Sequence, residues 1–218
     1  MHLEVLVEDA SGATALEILL PRILGSDGPH TWQVIAYKGI GRLPPGLRAN
    51  SHPSARALLN RLPSLLQGYG NAFAGQAVAQ AVVVVCDLDR RCLKEFRNEL
   101  NAVLSQCRPQ PTTGFCIAVQ ELESWYLGDP QALLQVRPSR TVRKLKPLRD
   151  ETVDGNWERL ADMIHPGGAA ALRNEGVHAI GRQKQVWAEQ LCPLLDLERN
   201  RSPSFRYFLT VLRRLTAG

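Results

Sequence analysis

The chain has 218 residues, of which 44% are hydrophobic, and a formal net charge of +5. A chain of this length and composition buries about two thirds of its unfolded surface in one domain, which excludes a disordered protein, and no apolar run reaches the roughly 20 residues of a membrane-spanning helix. The positive balance favours anionic partners such as nucleic acid, although 21 acidic residues oppose 26 basic ones.

The cysteines and the N-terminal residues favour a cytoplasmic protein. The five cysteines are odd in number and show neither CxxC spacing nor a Cys/His cluster, so we expect free thiols in a reducing compartment. The first ten residues carry Glu4, Glu8 and Asp9, which is not typical of a signal peptide.

Four segments are predicted to form strands, and helical patterns separate them. The strands are expected at 3–7, 32–37, 81–86 and 115–119, as near-continuous apolar runs typical of parallel strands covered on both faces. Apolar residues at helical spacing follow strand one, precede strand three and follow it. The alternation predicts an α/β domain with a parallel sheet of about four strands flanked by helices.

The second half of the chain is expected to be mostly helical. We therefore divide it into an α/β core, 1–128, and a helical extension, 129–218, packed on that core. Ser202 and Pro203 predict the start of the last helix, as N-cap and first helical residue. Segments 37–47 and 67–76 are rich in Gly and Pro and are predicted to be loops.

Carboxylates follow three of the predicted strands. Ligands of open α/β sheets bind at the carboxyl ends of the strands, so these acidic residues should gather at one edge. Asp87 and Asp89 point to the same side if strand three continues through them. Without a cation such carboxylates repel one another, whereas an all-oxygen ligand set suits Mg²⁺ or Mn²⁺. The predicted metal ligands are Glu8, Asp87 and Asp89, with Glu121 and Glu123 as candidates for a second metal site.

Simpler interpretations of the same residues stay open. Acidic residues at strand ends are often solvated, and Asp89 is also a candidate N-cap for a helix that begins near Arg90. Lys184 lies on a predicted helix that packs through Trp187, so its ammonium is either a transition-state stabiliser at the sheet edge or an ordinary surface lysine.

The ordered motifs resemble a known superfamily. A glutamate that ends the first strand, followed by a D-x-D that ends a later apolar strand, is similar to the motif pair of Toprim domains, which occur in topoisomerases, DnaG-type primases and OLD-family nucleases. More closely, the chain resembles a Toprim-like bacterial family of unknown function, family 4276. The segments that carry this resemblance are VLVEDASGATALEILLPRIL, YKGIG, VVVVCDLDRR, IAVQELESWYLGDP and RNRSPSFRYF.

The resemblance implies catalytic roles and one departure. Glu8 would be the acid-base or metal-positioning carboxylate, and Asp87 and Asp89 would bind Mg²⁺. Most Toprim domains place glycine directly after the glutamate, whereas here Asp9 stands there and Gly12 comes later.

A metal held by carboxylates is suited to chemistry on phosphate esters. The chain lacks the separate elements that topoisomerases and primases need, so we expect a metal-dependent nuclease acting on DNA or RNA. The counter-surface for a polyanion is expected in the basic run 137–149 and near the last helix, or these charges are simply solvated. The residues of this predicted nucleic-acid surface are Arg137, Arg140, Arg143, Lys144, Lys146, Arg149, Arg201 and Arg206.

Other functions remain possible from the sequence. The wider superfamily implies a separately encoded ATPase as partner and a role in phage defence, since the chain has no ATPase motif of its own. The alternatives are a non-catalytic metal- or partner-binding module, and a phosphatase or nucleotidyl transferase on small nucleotides. Oligomeric state is not predicted by the sequence.

Overall fold

The sheet of the protein has four parallel strands in the order β2-β1-β3-β4. The structure, a computed structural model, describes residues 1–44, 56–138, 142 and 155–217. The strands are β1 (His2–Val7), β2 (Thr31–Ala36), β3 (Gln80–Asp87) and β4 (Thr113–Ala118). In the ladder Val7 pairs with Ala36 and with Val85, and Asp87 pairs with Ala118. The predicted α/β class and all four predicted strands are confirmed.

Nine helices lie in the described ranges. Three connect the strands, and six follow β4, so the C-terminal part is helical as predicted. They are α1 (Ala10–Leu24), α2 (Leu58–Phe73), α3 (Leu93–Gln106), α4 (Glu123–Leu127), α5 (Pro130–Val136), α6 (Asn156–Ile164), α7 (Gly168–Asn174), α8 (Val177–Leu191) and α9 (Pro203–Thr216). None of the helices described combines the length and apolar composition that a membrane crossing requires.

The two faces of the sheet carry separate cores. Side chains alternate between the faces along each strand, so Val83 and Val85 face one side while Val82 and Val84 face the other. The first side is covered by α1, α8, α9 and the other C-terminal helices, the second by α2 and α3. Asp87 has the same parity as Val83 and Val85, so it ends β3 on the side where α8 packs.

Two local expectations are confirmed. Ser202 caps α9 by accepting a hydrogen bond from the Phe205 N–H at 3.1 Å, with Pro203 in the first turn. All five cysteines are free thiols, and all but Cys92 are buried.

Two other expectations are wrong. Segment 67–76 is not a loop throughout, because α2 continues to Phe73. Gly70 serves close packing instead of a turn: a Cβ there would lie 2.0 Å from the Pro109 carbonyl oxygen. The suggestion that Asp89 caps a helix near Arg90 also fails, because α3 begins at Leu93 with Cys92 as its N-cap.

Candidate metal and phosphate site

Two carboxylates meet at the carboxyl ends of neighbouring strands. Glu8 follows β1 and Asp87 ends β3, and the Asp87 N–H donates a hydrogen bond to Glu8 Oε2 at 3.0 Å. The Asp87 side chain is held in turn, because its Oδ1 accepts from the Leu122 N–H at 2.9 Å. The parallel register therefore brings together two of the predicted metal-binding residues.

Glu8 and Asp87 line one small cavity. Its volume is about 10 Å³, close to the smallest that holds one water molecule. Such a cavity admits a single small ion or water but no nucleotide. Its walls are Val7, Glu8, Asp9, Ser11, Gly12, Val85, Cys86, Asp87, Leu122, Glu123 and Lys184.

The pKa values of both carboxyls are raised. Burial raises the pKa of Glu8 from its usual 4.5 to about 7. The charges of Asp9 and Asp89 also raise this pKa, whereas the hydrogen bond from the Asp87 N–H and the charge of Lys184 lower it. Burial, and then the charge of Glu8, raise the pKa of Asp87 well above its usual value. Burial and the neighbouring negative charge both disfavour the ionised form of these carboxyls, and a bound cation would stabilise that form.

A lysine lies beside this pair. Lys184 comes from α8, and its Nζ donates to Glu123 Oε2 at 3.2 Å and lies 3.7 Å from Glu121 Oε1. Its side chain is only 17% exposed. Burial lowers the pKa of this amine, but the charges of Glu123, Glu121 and Asp87 outweigh burial and raise it above 10.5. The interpretation of Lys184 as an ordinary surface lysine is therefore wrong.

Glu121 and Glu123 face this lysine. Glu123 is 3% exposed, and the second oxygen of Glu121 accepts from the Trp157 N–H at 3.0 Å. Burial raises the pKa of Glu121, while Lys184 lowers it. The chain's own ammonium thus lies against both of the residues that were predicted as a second metal site and offsets part of their negative charge. That site stays a prediction.

Asp89 lies apart from Asp87. Strand β3 ends at Asp87, so the condition for the two side chains to share one side is not met. Asp89 has a left-handed backbone with φ 53°, as does Gln120 with φ 61°, and the Asp89 N–H donates to the Gln120 carbonyl at 3.0 Å. Left-handed residues other than glycine are uncommon, and such strain gathers at functional sites.

The exposed Asp89 side chain lines a separate cleft of about 530 Å³. No group of three or more His, Cys, Asp or Glu side chains in the described ranges is arranged to hold a metal ion. Of the predicted ligands, Glu8, Asp87 and Glu123 line the small cavity together, and Glu123 is paired with Lys184. Asp89 acts on Glu8 through its charge.

Asp9, which stands directly after Glu8 where most Toprim domains have glycine, and Gly12 each have a structural role. Asp9 caps α1, since its Oδ1 accepts from the Gly12 N–H at 2.7 Å and its carboxylate from the Ser11 hydroxyl. A Cβ on Gly12 would lie 2.6 Å from Val7 Cγ2. The glycine lets α1 approach β1 directly behind Glu8.

The predicted nucleic-acid surface falls mostly outside the described residues. Of the six basic residues in the run only Arg137 is described. Its Nη1 donates to the Ile164 carbonyl at 2.9 Å, which is a structural contact. Arg201 and Arg206 are exposed near the start of α9. The residues that lie outside the described ranges are Arg140, Arg143, Lys144, Lys146 and Arg149.

Sequence reasoning missed residues beside the carboxylates. Arg90 and Arg91 follow Asp89 directly, and both line the 530 Å³ cleft together with Trp157. The sequence DRR at 89–91 already places both arginines next to the predicted ligand Asp89. The Trp157 contact depends on how α6 meets the turn after β4, and no motif signals it.

A family model with the description "Domain of unknown function (DUF4276)" matches residues 7–213. No curated protein and no solved structure matches the chain.

Proposed function

The chain belongs to the DUF4276 family, and from that premise we propose that it is a Toprim-type, Mg²⁺- or Mn²⁺-dependent phosphodiesterase that cleaves DNA or RNA. The observation that supports this proposal is the pairing of Glu8 and Asp87 around one ion-sized cavity at the carboxyl edge of the sheet. A pair of desolvated carboxylates with raised pKa values is suited to a divalent cation, and hard oxygen ligands favour Mg²⁺ or Mn²⁺.

Glu8 and Asp87 would hold the ion, with Asp89 as the further carboxylate whose charge acts on Glu8. When bound, the ion would neutralise charge on a phosphate ester and lower the pKa of a water molecule. We assign no ion to Glu121 and Glu123, because Lys184 already supplies positive charge beside them.

The chain's own groups contribute acid-base and electrostatic chemistry. Before the ion binds, Glu8 exchanges a proton near neutral pH, because the pKa of its carboxyl is about 7. Its Oε1 is left for that proton or for the ion, since Oε2 accepts from the Asp87 N–H. The ammonium of Lys184 lines the same cavity, so it would stabilise negative charge that develops on a phosphoryl oxygen.

The cellular setting is also a proposal. Five free cysteines favour a reducing cytoplasm. The resemblance to Toprim nucleases that work with ATPases favours a separately encoded ATPase as partner and a role in phage defence.

The test is cleavage of labelled single- and double-stranded DNA and RNA in Mg²⁺, Mn²⁺ or EDTA. We expect metal-dependent cutting by the wild type and its loss in Asp87→Asn and Glu8→Gln, which keep an oxygen acceptor for the Leu122 and Asp87 N–H groups. Asp27→Asn, an exposed acid in the turn after α1, is the matched control and should cut normally. Urea unfolding of each variant separates lost chemistry from lost folding.

Other outcomes identify the alternatives. Turnover of a mononucleotide or a model phosphomonoester, without cutting of polymers, would replace the nuclease with a phosphatase or nucleotidyl transferase. No turnover by the folded wild type, with or without a candidate ATPase partner, would favour a non-catalytic metal- or partner-binding module.

A further inference from the structure

We propose that the cleft beside the carboxylates is a groove for a single strand of nucleic acid, with phosphates along Arg42, Arg90 and Arg91 and one base against Trp157. The inference rests on the proposed phosphodiesterase function, because it names the form of the substrate and the path by which it reaches the site. The cavity between Glu8 and Asp87 is too small for a nucleotide, so a polymer must bind outside it.

Two clefts join along this path. The first, about 530 Å³, lies between the turn after β3, the turn after β4 and the start of α6. The second, about 500 Å³, is lined by Arg42, Leu43 and Phe96. Arg91 lines both clefts, so they lie next to each other, and Asp89 lines the first. Each volume is in the range of about 300–1,000 Å³ that ligand sites occupy.

Arg91 is fixed in place at the junction. Its Nη2 donates to the Gly41 carbonyl at 3.3 Å, and its guanidinium lies 4.7 Å from the ring centroid of Phe96. Its buried Nη1 has no hydrogen-bond partner in the described part of the chain. A donor left without an acceptor costs free energy, so a turn of this guanidinium towards a bound phosphate would be favoured.

The turn after β2 holds Arg42 on the same path. The Arg42 N–H donates to Asn60 Oδ1 at 3.1 Å, and the Gly39 N–H donates to the Glu8 carbonyl at 2.8 Å. The backbone that presents Arg42 is therefore tied to the residue that carries the candidate catalytic carboxylate.

The positive charge of these arginines is available to a ligand. No carboxylate of the described residues forms an ion pair with Arg42, Arg90 or Arg91, whereas Arg199 and Arg213 are both paired. Besides Asp89, the carboxylates of Glu121 and Glu158 line the first cleft and that of Glu99 lines the second. Glu121 and Glu158 have partners of their own. Glu121 lies 3.7 Å from Lys184, and Glu158 forms a 2.8 Å ion pair with Arg173.

Trp157 provides an aromatic wall. Its indole is partly exposed and lines the first cleft, and the Arg173 guanidinium lies 5.3 Å from its ring centroid. Arginines that follow a backbone, together with an aromatic side chain for a base, are the usual combination in single-strand binding. The bases of an intact duplex are stacked on one another and cannot reach the indole, which is why we infer a single strand.

The experiment measures binding without cleavage. Anisotropy of labelled single-stranded DNA and RNA oligonucleotides and of the matching duplex is recorded in EDTA across a salt series. Arg42→Gln/Arg90→Gln should reduce the log-log salt slope for single strands by about 1.4, since each phosphate contact contributes about 0.7. Arg214→Gln, an exposed arginine at the opposite edge of the sheet, should leave the slope unchanged. Trp157→Leu should weaken binding about fivefold or more at an unchanged slope.

The outcomes separate this inference from the proposed function. Wild-type affinity and slope in the double arginine variant, tighter binding of the duplex than of the single strand, or no binding at all would overturn the groove, even if metal-dependent cutting is found. A loss of slope in the arginine variant supports the groove even if the protein never cleaves.

Discussion

The ammonium of Lys184 on α8 donates a hydrogen bond to the almost fully buried carboxylate of Glu123 at the start of α4, over 3.2 Å. The contact joins the C-terminal helices to the carboxyl edge of the sheet. It also places one positive charge among carboxylates that no other described ion pair neutralises, since Glu121 lies 3.7 Å from the same nitrogen. The extension after β4 thus completes the electrostatics of the site.

Lys184→Met should destabilise the protein strongly. Removal of one partner leaves buried carboxylates without compensation, at a cost of about 3 kcal/mol in the free energy of unfolding. The loss should be smaller at pH 5 than at pH 8, because carboxyls with raised pKa values escape the penalty by taking up protons at low pH. Urea unfolding at both pH values measures it.

Two further variants test the cause of that loss. Lys94→Met removes an exposed lysine of α3 and should change stability little. Lys184→Met/Glu123→Gln should recover part of the lost stability, because one of the unpaired charges is gone. A loss of equal size at pH 5 and pH 8, with no recovery in the double variant, would mean that the aliphatic stem of Lys184 matters and its charge does not.

Glu8→Gln should stabilise the metal-free protein above neutral pH. The pKa of Glu8 is about 7 in the folded protein and 4.5 ordinarily. The free energy of unfolding therefore falls as pH rises from 4.5 to 7 and stays low above pH 7. Each pKa unit corresponds to about 1.4 kcal/mol, so the glutamine variant should gain up to about 3 kcal/mol at pH 8 and nothing below pH 4.5.

The check is a series of urea unfolding curves from pH 4 to 8 in EDTA. Glu17→Gln, an exposed glutamate of α1, serves as control and should follow the wild type at every pH. If Glu8→Gln and the wild type run parallel across the series, the pKa of Glu8 is not raised.

Gly12→Ala should destabilise the fold, although alanine favours helices. The added Cβ would lie 2.6 Å from Cγ2 of Val7, a stiff β-branched side chain in the core, so α1 or β1 must shift. We expect a loss of about 1–3 kcal/mol in the free energy of unfolding. Gly68→Ala in α2 is the matched control, because nothing lies within 4 Å of its added Cβ, and it should gain about 0.5–1 kcal/mol. Equal effects in both helices would contradict the close approach of α1 to β1.

The sequence was sufficient for the sheet because three of its four strands, β1, β3 and β4, are largely buried on both faces. A run such as AVVVVC is apolar at every position, and its β-branched residues distinguish it from a helix. The rule that parallel strands end at one edge then predicts that Glu8 and Asp87 lie together. The glycines of α2 misled the loop prediction, because Gly70 is needed for a contact with Pro109 that only the tertiary structure creates.

The side-chain directions at the site could not be predicted. Asp89 lines a different cavity from Asp87. Its backbone is left-handed, and its N–H donates to the carbonyl of Gln120 on the neighbouring turn. Lys184 reaches Glu123 from 61 residues away in the sequence, through the packing of α8 on the sheet. Neither contact is local, so composition, periodicity and spacing could not reveal them.

Mn²⁺ binding should be weak and should depend on pH. Carboxylate sites for such ions keep several waters and are completed by substrate phosphates, so we expect a dissociation constant on the order of millimolar in the free protein. Because the pKa of Glu8 is about 7, part of the protein must lose a proton before the ion binds, and affinity should rise from pH 6 to pH 8.

Calorimetry at pH 7 in two buffers with different ionisation enthalpies should detect the released proton. Asp87→Asn and Glu8→Gln should abolish the binding heat, and Asp27→Asn should retain it. An affinity that is the same at pH 6 and pH 8, or that survives both variants, would place the ion away from the Glu8–Asp87 cavity.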